Sequence, residues 1–195
     1  MHPWRKAGGI LAGVQAEPSG LELIGGPDAR EPIMIVDYDE RWPDRFEEVA
    51  AVIRRALGDS GNVHHIGSTS VPGLAAKPVL DILLVVSELS NEGAYLPLLQ
   101  AAGFVLRARE PGHRLLRTRD RDVHLHVYQD GADDIDAYLE LRDWLRSSRD
   151  DRELYAATKR QLAQRDWPTM NDYAMAKSHV VADILKRART ISGPV

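Results

Sequence analysis

The sequence predicts an α+β fold, a mixed β-sheet with flanking helices followed by a C-terminal helical bundle. Three observations carry this prediction. Short apolar, strand-like runs recur between Val63 and Tyr128, with helix-like segments before and among them. One of these runs, Lys77 to Val86, is almost continuously apolar, the pattern of a strand buried on both faces. From Asp133 onward the apolar spacing is helical to the end.

Taken in order, residues 1–30 repeat Gly and Pro without periodicity and read as a flexible N-terminal extension. Arg5 and Lys6 precede a short glycine-rich apolar run, Gly8 to Val14, but Gln15 and Glu17 follow it, which makes a poor signal peptide. Ile33 to Tyr38 is strand-like and reads as a sheet edge. Trp42-Pro43 opens a helix, because proline is tolerated in a first turn. Phe46, Val49, Ala50, Ile53 and Leu57 continue that helix at its spacing, and Gly58 ends it. Val63 to Ile66 is the first central strand and Lys77 to Val86 the second. Glu92 to Ala102 is a helix closed by Gly103, and Phe104 to Arg107 is a strand. His113 to Thr118 and Asp122 to Tyr128 flank the polar turn Arg119-Asp120-Arg121 and read as a hairpin. Helices are expected over Ile135 to Ser147, Asp151 to Gln164 and Asn171 to Arg189. Residues 31–190 thus form one domain, with a sheet part to about residue 130 and a helical part beyond it.

Composition narrows the function classes. The 195 residues are 44% hydrophobic and 28% charged, enough for a real core under an ordinary polar surface. A net charge of -4 argues against bulk binding to nucleic acid, which needs a concentrated basic face. No apolar run approaches the roughly 20 residues that span a bilayer. The absence of cysteine removes disulfides, thiolate metal sites and cysteine nucleophiles, and fits a cytoplasmic protein. The expected partner is a small molecule.

The richest stretch is HIGSTSVPGLAAKPVLDI, from His65 to Ile82. Gly67 permits a tight turn and a close approach to a ligand. The hydroxyls of Ser68, Thr69 and Ser70, with nearby N–H groups, suit a phosphate. Lys77 is held extended by the following proline and offers a point charge. Asp81, on a strand otherwise of Val, Leu and Ile, is costly to bury unless paired or metal-bound. The plain alternative is a capped turn and a strand-end aspartate. His64 and His65 face opposite sides of their strand, and one of them faces the site.

Alternation on the later strand puts Asp122, His124, His126 and Tyr128 on one face. Were this strand to neighbour that of Asp81, Asp81 and His126 would converge. Two histidines and a carboxylate suit Zn²⁺, Mn²⁺ or Fe²⁺ better than Mg²⁺. They equally suit a carboxylate–histidine acid–base pair, or an ordinary solvated hairpin face. Downstream, Tyr138/Arg142, Arg142/Arg146, Tyr155/Lys159 and Tyr173/Lys177 are each four apart on helices, as pocket walls over phosphates or as solvated faces. Arg114 and Arg117 on the first hairpin strand are further candidates for the same cleft.

The Gly-Ser-Thr-Ser-Val-Pro-Gly-Leu-Ala-Ala-Lys-Pro block resembles the GrpB family, whose members share a nucleotidyltransferase-like fold. The resemblance runs from about Ile35 to Ala188. It includes Val36-Asp37-Tyr38, Trp42-Pro43, Phe46, Val123 to Val127, Leu141 to Arg146, Tyr155 with Lys159, and Tyr173 with Lys177. It favours His65 as the histidine turned toward the site, and Arg142, Lys159 and Lys177 as pocket residues. It implies an enzyme that binds a nucleotide such as ATP, or another phosphorylated metabolite, and transfers a nucleotidyl or phosphoryl group. Asp81, His124 and His126 are then its catalytic and metal residues, with Mg, Mn or Zn as the divalent metal. Enzymes of this fold carry two carboxylates two residues apart on the strand after the Gly-Ser turn. Here the first is Asp81 and the second position is Leu83, which implies an atypical transferase, a different small-molecule reaction on the same fold, or a non-catalytic nucleotide or metabolite sensor.

Overall fold

The structure is a computed structural model that describes residues 20–26, 32–58 and 62–192. Among these, six strands form one sheet: β1 (Glu22–Leu23), β2 (Asn62–Ile66), β3 (Leu80–Val86), β4 (Phe104–Glu110), β5 (His113–Thr118) and β6 (Val123–Gln129). The helices are α1 (Trp42–Leu57), α2 (Glu92–Ala101), α3 (Asp133–Ser147), α4 (Arg149–Ala163), α5 (Met170–Ala176) and α6 (Ser178–Ser192). The spatial order is β1-β4-β5-β6-β3-β2. β3 and β6 pair in parallel and the other neighbours are antiparallel, so the sheet is mixed. No helix of the described residues is long and apolar enough to cross a membrane.

Each face of the sheet has its own core. Ile82 and Leu84 of β3, Leu125 and Val127 of β6, and Leu116 of β5 pack against Phe46, Ala50 and Ile53 of α1 and Leu96 and Leu99 of α2. On the other face Ile66, Leu83, Val85 and Tyr128 meet Ile135 and Tyr138 of α3. A third cluster joins Val71, Leu74 and Ala75, just after the Gly-Ser-Thr-Ser turn, to Leu145, Tyr155, Val181, Ile184 and Leu185. That cluster fixes the helical part against the turn. Each buried Leu or Ile removes apolar surface worth roughly 1.5–3 kcal/mol.

Several expectations change. Ile33 to Tyr38 makes no strand, and only Val36 pairs, with Ala76, through two backbone bonds of 2.9 Å. The ladder cannot lengthen because Pro78, two residues on from Ala76, has no N–H to donate. For the same reason β3 starts at Leu80 rather than Lys77, where the Leu80 N–H first reaches Asp122 O at 2.9 Å. Within the segment read as an extension, Glu22–Leu23 pairs with β4, so residues 20–26 are anchored. Residues 1–19 and 27–31, which include the remainder of that reading, lie outside the described residues. The last helix is two: it breaks at Lys177, where the Ser178 hydroxyl donates to Met175 O at 2.7 Å and draws that carbonyl from the helical ladder.

Candidate metal and anion site

The parallel pairing of β3 and β6 makes the site. Its register sets Asp81 beside His124 and Leu83 beside His126. Side chains alternate on a strand, so Asp81, His124 and His126 share one face. The Asp81 Oδ1 lies 3.5 Å from His124 Nδ1 and 3.7 Å from His126 Nε2. One donor atom from each residue falls within 4.8 Å of the others. Tetrahedral ligands at about 2.0–2.1 Å from a cation stand about 3.3 Å from one another, so small side-chain adjustments bring the three onto one ion.

His126 is only 4% exposed, and its Nε2 is a buried atom with no hydrogen-bond partner. An orphaned buried nitrogen facing a carboxylate and a second imidazole is the expected mark of a ligand position. Burial holds the His126 ring below the usual histidine range, against the pull of Asp81, so its lone pair is free at neutral pH. Burial alone would raise the Asp81 carboxyl, but the two histidines beside it outweigh burial and hold it well below the carboxylate range. These residues fit a divalent cation.

Gly67 closes one side. It adopts φ 68° and ψ −171°, and a Cβ built there would stand 2.4 Å from Asp81 Oδ2. The glycine therefore lets the turn lie directly on the carboxylate, since Ile66 is the register partner of Asp81. Of the three hydroxyls in the following turn, two are used internally. Ser70 donates to Gly67 O at 2.6 Å, and Thr69 bonds the His65 ring at 3.0 Å. Ser68, half-buried, accepts from Lys159 Nζ at 2.8 Å. The expected phosphate cradle of Ser68, Thr69 and Ser70 thus contracts to Ser68.

Cations converge from the helical side. Lys159 is 2% exposed, reaches Ser68 and Ala75 O, and lies 4.6 Å over the Tyr155 ring. Burial and neighbouring Lys177 push its ammonium well below the usual lysine range. Lys177 lies 4.5 Å over the Tyr173 ring, whose hydroxyl is buried without a partner. Burial pushes Lys177 down to about 8, with Asp81 pulling up and Lys77 pushing down, so the three charges share a neighbourhood. Burial raises the Tyr155 hydroxyl, and Asp81 and Tyr173 add to that, so Tyr155 belongs to the same cluster.

Other expected residues lie elsewhere. His65 is not turned toward the site: it stacks on Phe46 of α1 at 4.7 Å, on the opposite face of the sheet, where burial lowers it to about 4. The even-numbered face of β2 belongs to His64. Arg142 donates to His65 O at 3.2 Å and pairs with Asp143, while Arg146 donates to Ser70 O at 2.8 and 3.0 Å. These arginines spend their donors on backbone carbonyls and tie β2 and the turn to α3. Arg114 pairs with Glu92 of α2 at 2.6 Å, away from the site, whereas Arg117 stands opposite His124 in register. Two residues were not anticipated. His113 and Glu110 stand behind His126, and the parity of the hairpin, which puts residues 113, 115 and 117 on one face, was the available signal.

A family model described as GrpB protein matches residues 32–187. A UPF0157 protein of Streptomyces coelicolor is 52% identical over 86% of this chain and 90% of its own length. One of Halalkalibacterium halodurans is 48% identical over 80% of this chain and 82% of its own. A longer relative from Mycolicibacterium paratuberculosis, named dephospho-CoA kinase, is 29% identical, and the chain spans about half of it, 47%. Among solved structures, the conserved protein GrpB from Enterococcus faecalis superposes with a TM-score of 0.71 at 34% identity, over 80% of this chain and 96% of that one. The GLD-2/RNP-8 complex gives 0.53 at 14% identity over 74% of this chain and 60% of that one, a likeness of fold alone. The sheet and helices therefore form a nucleotidyltransferase-like fold, and the chain belongs to the GrpB family.

Proposed function

We propose that this protein is an atypical nucleotidyltransferase-like enzyme that binds a nucleotide or another phosphorylated metabolite with a divalent cation and transfers a nucleotidyl or phosphoryl group. The observation that carries the reading is the convergence of Asp81, His124 and the orphaned His126 Nε2, with the buried Lys159 and the half-buried Lys177 close enough to feel the Asp81 charge. Asp81, His124 and His126 hold the cation, which supplies charge neutralisation at the reacting phosphoryl oxygens. Lys177 and Lys77 bind the phosphates, and Lys159 orients Ser68 at the rim. In the transfer, an acceptor oxygen bonds to phosphorus as the bond to the leaving phosphate breaks, and the acceptor's proton passes to solvent.

One observation favours a second reading. Leu83, at the place of the second carboxylate, is fully buried in an apolar cluster, so that position supplies no acidic ligand. A two-metal clamp is then absent, and a sensor that binds a nucleotide without turning it over, or an enzyme of different small-molecule chemistry, fits the same cleft.

The test is metal analysis of the purified protein, then calorimetric titration with ATP with and without the metal found. One bound Zn²⁺ or Mn²⁺ per chain with metal-dependent ATP binding is the expected result, and slow product formation separates enzyme from sensor. Neither metal nor ATP binding at millimolar concentrations would sink both nucleotide readings.

The lysines give a pH signature. Lys177, held to about 8, is charged below that pH and neutral above it. ATP affinity should fall about five- to tenfold between pH 7 and 9, the weight of one charge-assisted contact. Lys177→Met should bind weakly at both pH values with a flat profile. A wild-type profile as flat as the variant's would remove Lys177 from the phosphate site.

A further inference from the structure

His126 does not stand alone behind its free nitrogen. Its Nδ1 lies 3.2 Å from His113 Nε2, and the His113 Nδ1 lies 3.0 Å from Glu110 Oε2. The two rings are nearly parallel, 14° apart with centroids at 5.3 Å, and His113 stacks in turn on Tyr128 at 4.7 Å. His113, 5% exposed, opens β5, paired with Glu110 of β4 on one side and Tyr128 of β6 on the other, so the two buried imidazoles and the half-buried Glu110 are held in place by the strand register.

The donors and acceptors in this chain admit one arrangement when both rings are neutral. An ionised carboxylate only accepts, so Glu110 takes the Nδ1–H of His113. A neutral imidazole protonated on Nδ1 has a bare Nε2, which can only accept. His126 must then donate its own Nδ1–H to His113, and its Nε2 is left as a lone pair facing Asp81 and His124. The reverse arrangement would set a bare His113 Nδ1 against the Glu110 carboxylate at 3.0 Å, two acceptors in contact with no proton between them.

We infer that His113, oriented by Glu110, is a positioning residue that locks His126 in its Nδ1-protonated tautomer and so presents Nε2 to a divalent cation. The inference rests on the metal site proposed above but concerns residues outside it. Ligand histidines commonly donate their second ring N–H to a carboxylate or carbonyl. Here a histidine stands between the ligand and the carboxylate.

The test has two arms. Long-range ¹H–¹⁵N correlation spectra of the metal-free wild-type protein at pH 8 read the tautomer directly, and His126 should be protonated at Nδ1. Zn²⁺ titration by calorimetry then compares wild type with His113→Phe and His113→Gln. The phenyl ring keeps the stack on Tyr128 but removes the acceptor, and Zn²⁺ affinity should fall about 10- to 100-fold. The glutamine amide places an oxygen where Nε2 stood and should recover most of that loss.

An Nε2-protonated His126 in the wild type would overturn the inference whether or not metal binds. So would a folded His113→Phe protein that binds Zn²⁺ as tightly as wild type, while leaving the metal site itself intact. A correct tautomer with no Zn²⁺ binding in any variant supports the positioning of His126 and removes the metal reading instead.

Discussion

Gly67→Ala should be the most destabilising single substitution of the Gly-Ser turn, costing about 3–5 kcal/mol and lowering Tm by roughly 10 °C. Two independent costs add. The backbone at φ 68° and ψ −171° lies in a region open essentially to glycine alone, worth about 1–3 kcal/mol. The new methyl would also stand 2.4 Å from Asp81 Oδ2, 2.8 Å from its Cβ and 3.0 Å from its Cγ. Rotating the carboxylate relieves the first contact but not the second, because the Asp81 Cβ is fixed by β3. The edge strand β2 must then shift from β3, opening the pairing of Ile66 with Asp81. Gly73→Ala is the control. It has φ +76° but nothing within 4 Å of the new Cβ, so only the backbone cost of about 1 kcal/mol applies. Thermal unfolding of both variants checks this, and equal Tm losses would show that the contact with Asp81 contributes nothing.

Asp81→Asn should lower divalent-metal affinity at least about 100-fold while leaving the fold in place. The carboxylate is the one anion among the three converging donors. Asparagine keeps the shape against Gly67 but offers a neutral oxygen in its stead. The substitution sets a neutral amide in place of the carboxylate 3.7 Å from His126 Nε2 and adds no bulk. Thermal stability should therefore change little, within about 1 kcal/mol, while Zn²⁺ or Mn²⁺ binding by calorimetry collapses. Unchanged metal affinity would place any bound ion elsewhere, and a large stability loss with no metal in the wild type would make Asp81 a structural residue.

The two predictions separate what strand periodicity reveals from what it hides. Alternation alone put His124 and His126 on one face, and the apolar run around Asp81 marked that carboxylate as one needing a partner. Neither observation says which strands are neighbours. The parallel pairing of β3 with β6 depends on the crossover through α2, β4 and β5, which brings together residues more than forty positions apart in the chain. The place of His65 depends on packing for a related reason. Adjacent histidines face opposite ways, but which faces the cleft depends on where α1 packs, and Phe46 claims His65. The hydroxyls of Thr69 and Ser70 were legible as polar groups in a turn, yet their use inside it follows from the 3.0 Å and 2.6 Å bonds to His65 and Gly67 O. Arg142 and Arg146 share a helix face as spacing demanded, but that face binds the carbonyls of His65 and Ser70.

By itself, then, the sequence determined most of the element types, the family and the identity of the central carboxylate, because these rest on local periodicity, turn chemistry and a long specific motif. Tertiary structure alone decided that Asp81, His124 and His126 form one donor cluster, that Lys159 and Lys177 come near it, and that Glu110 and His113 stand behind His126. The physical reason is that strand order and helix docking are set by burying two sheet faces at once, a condition on the whole chain that no single segment carries.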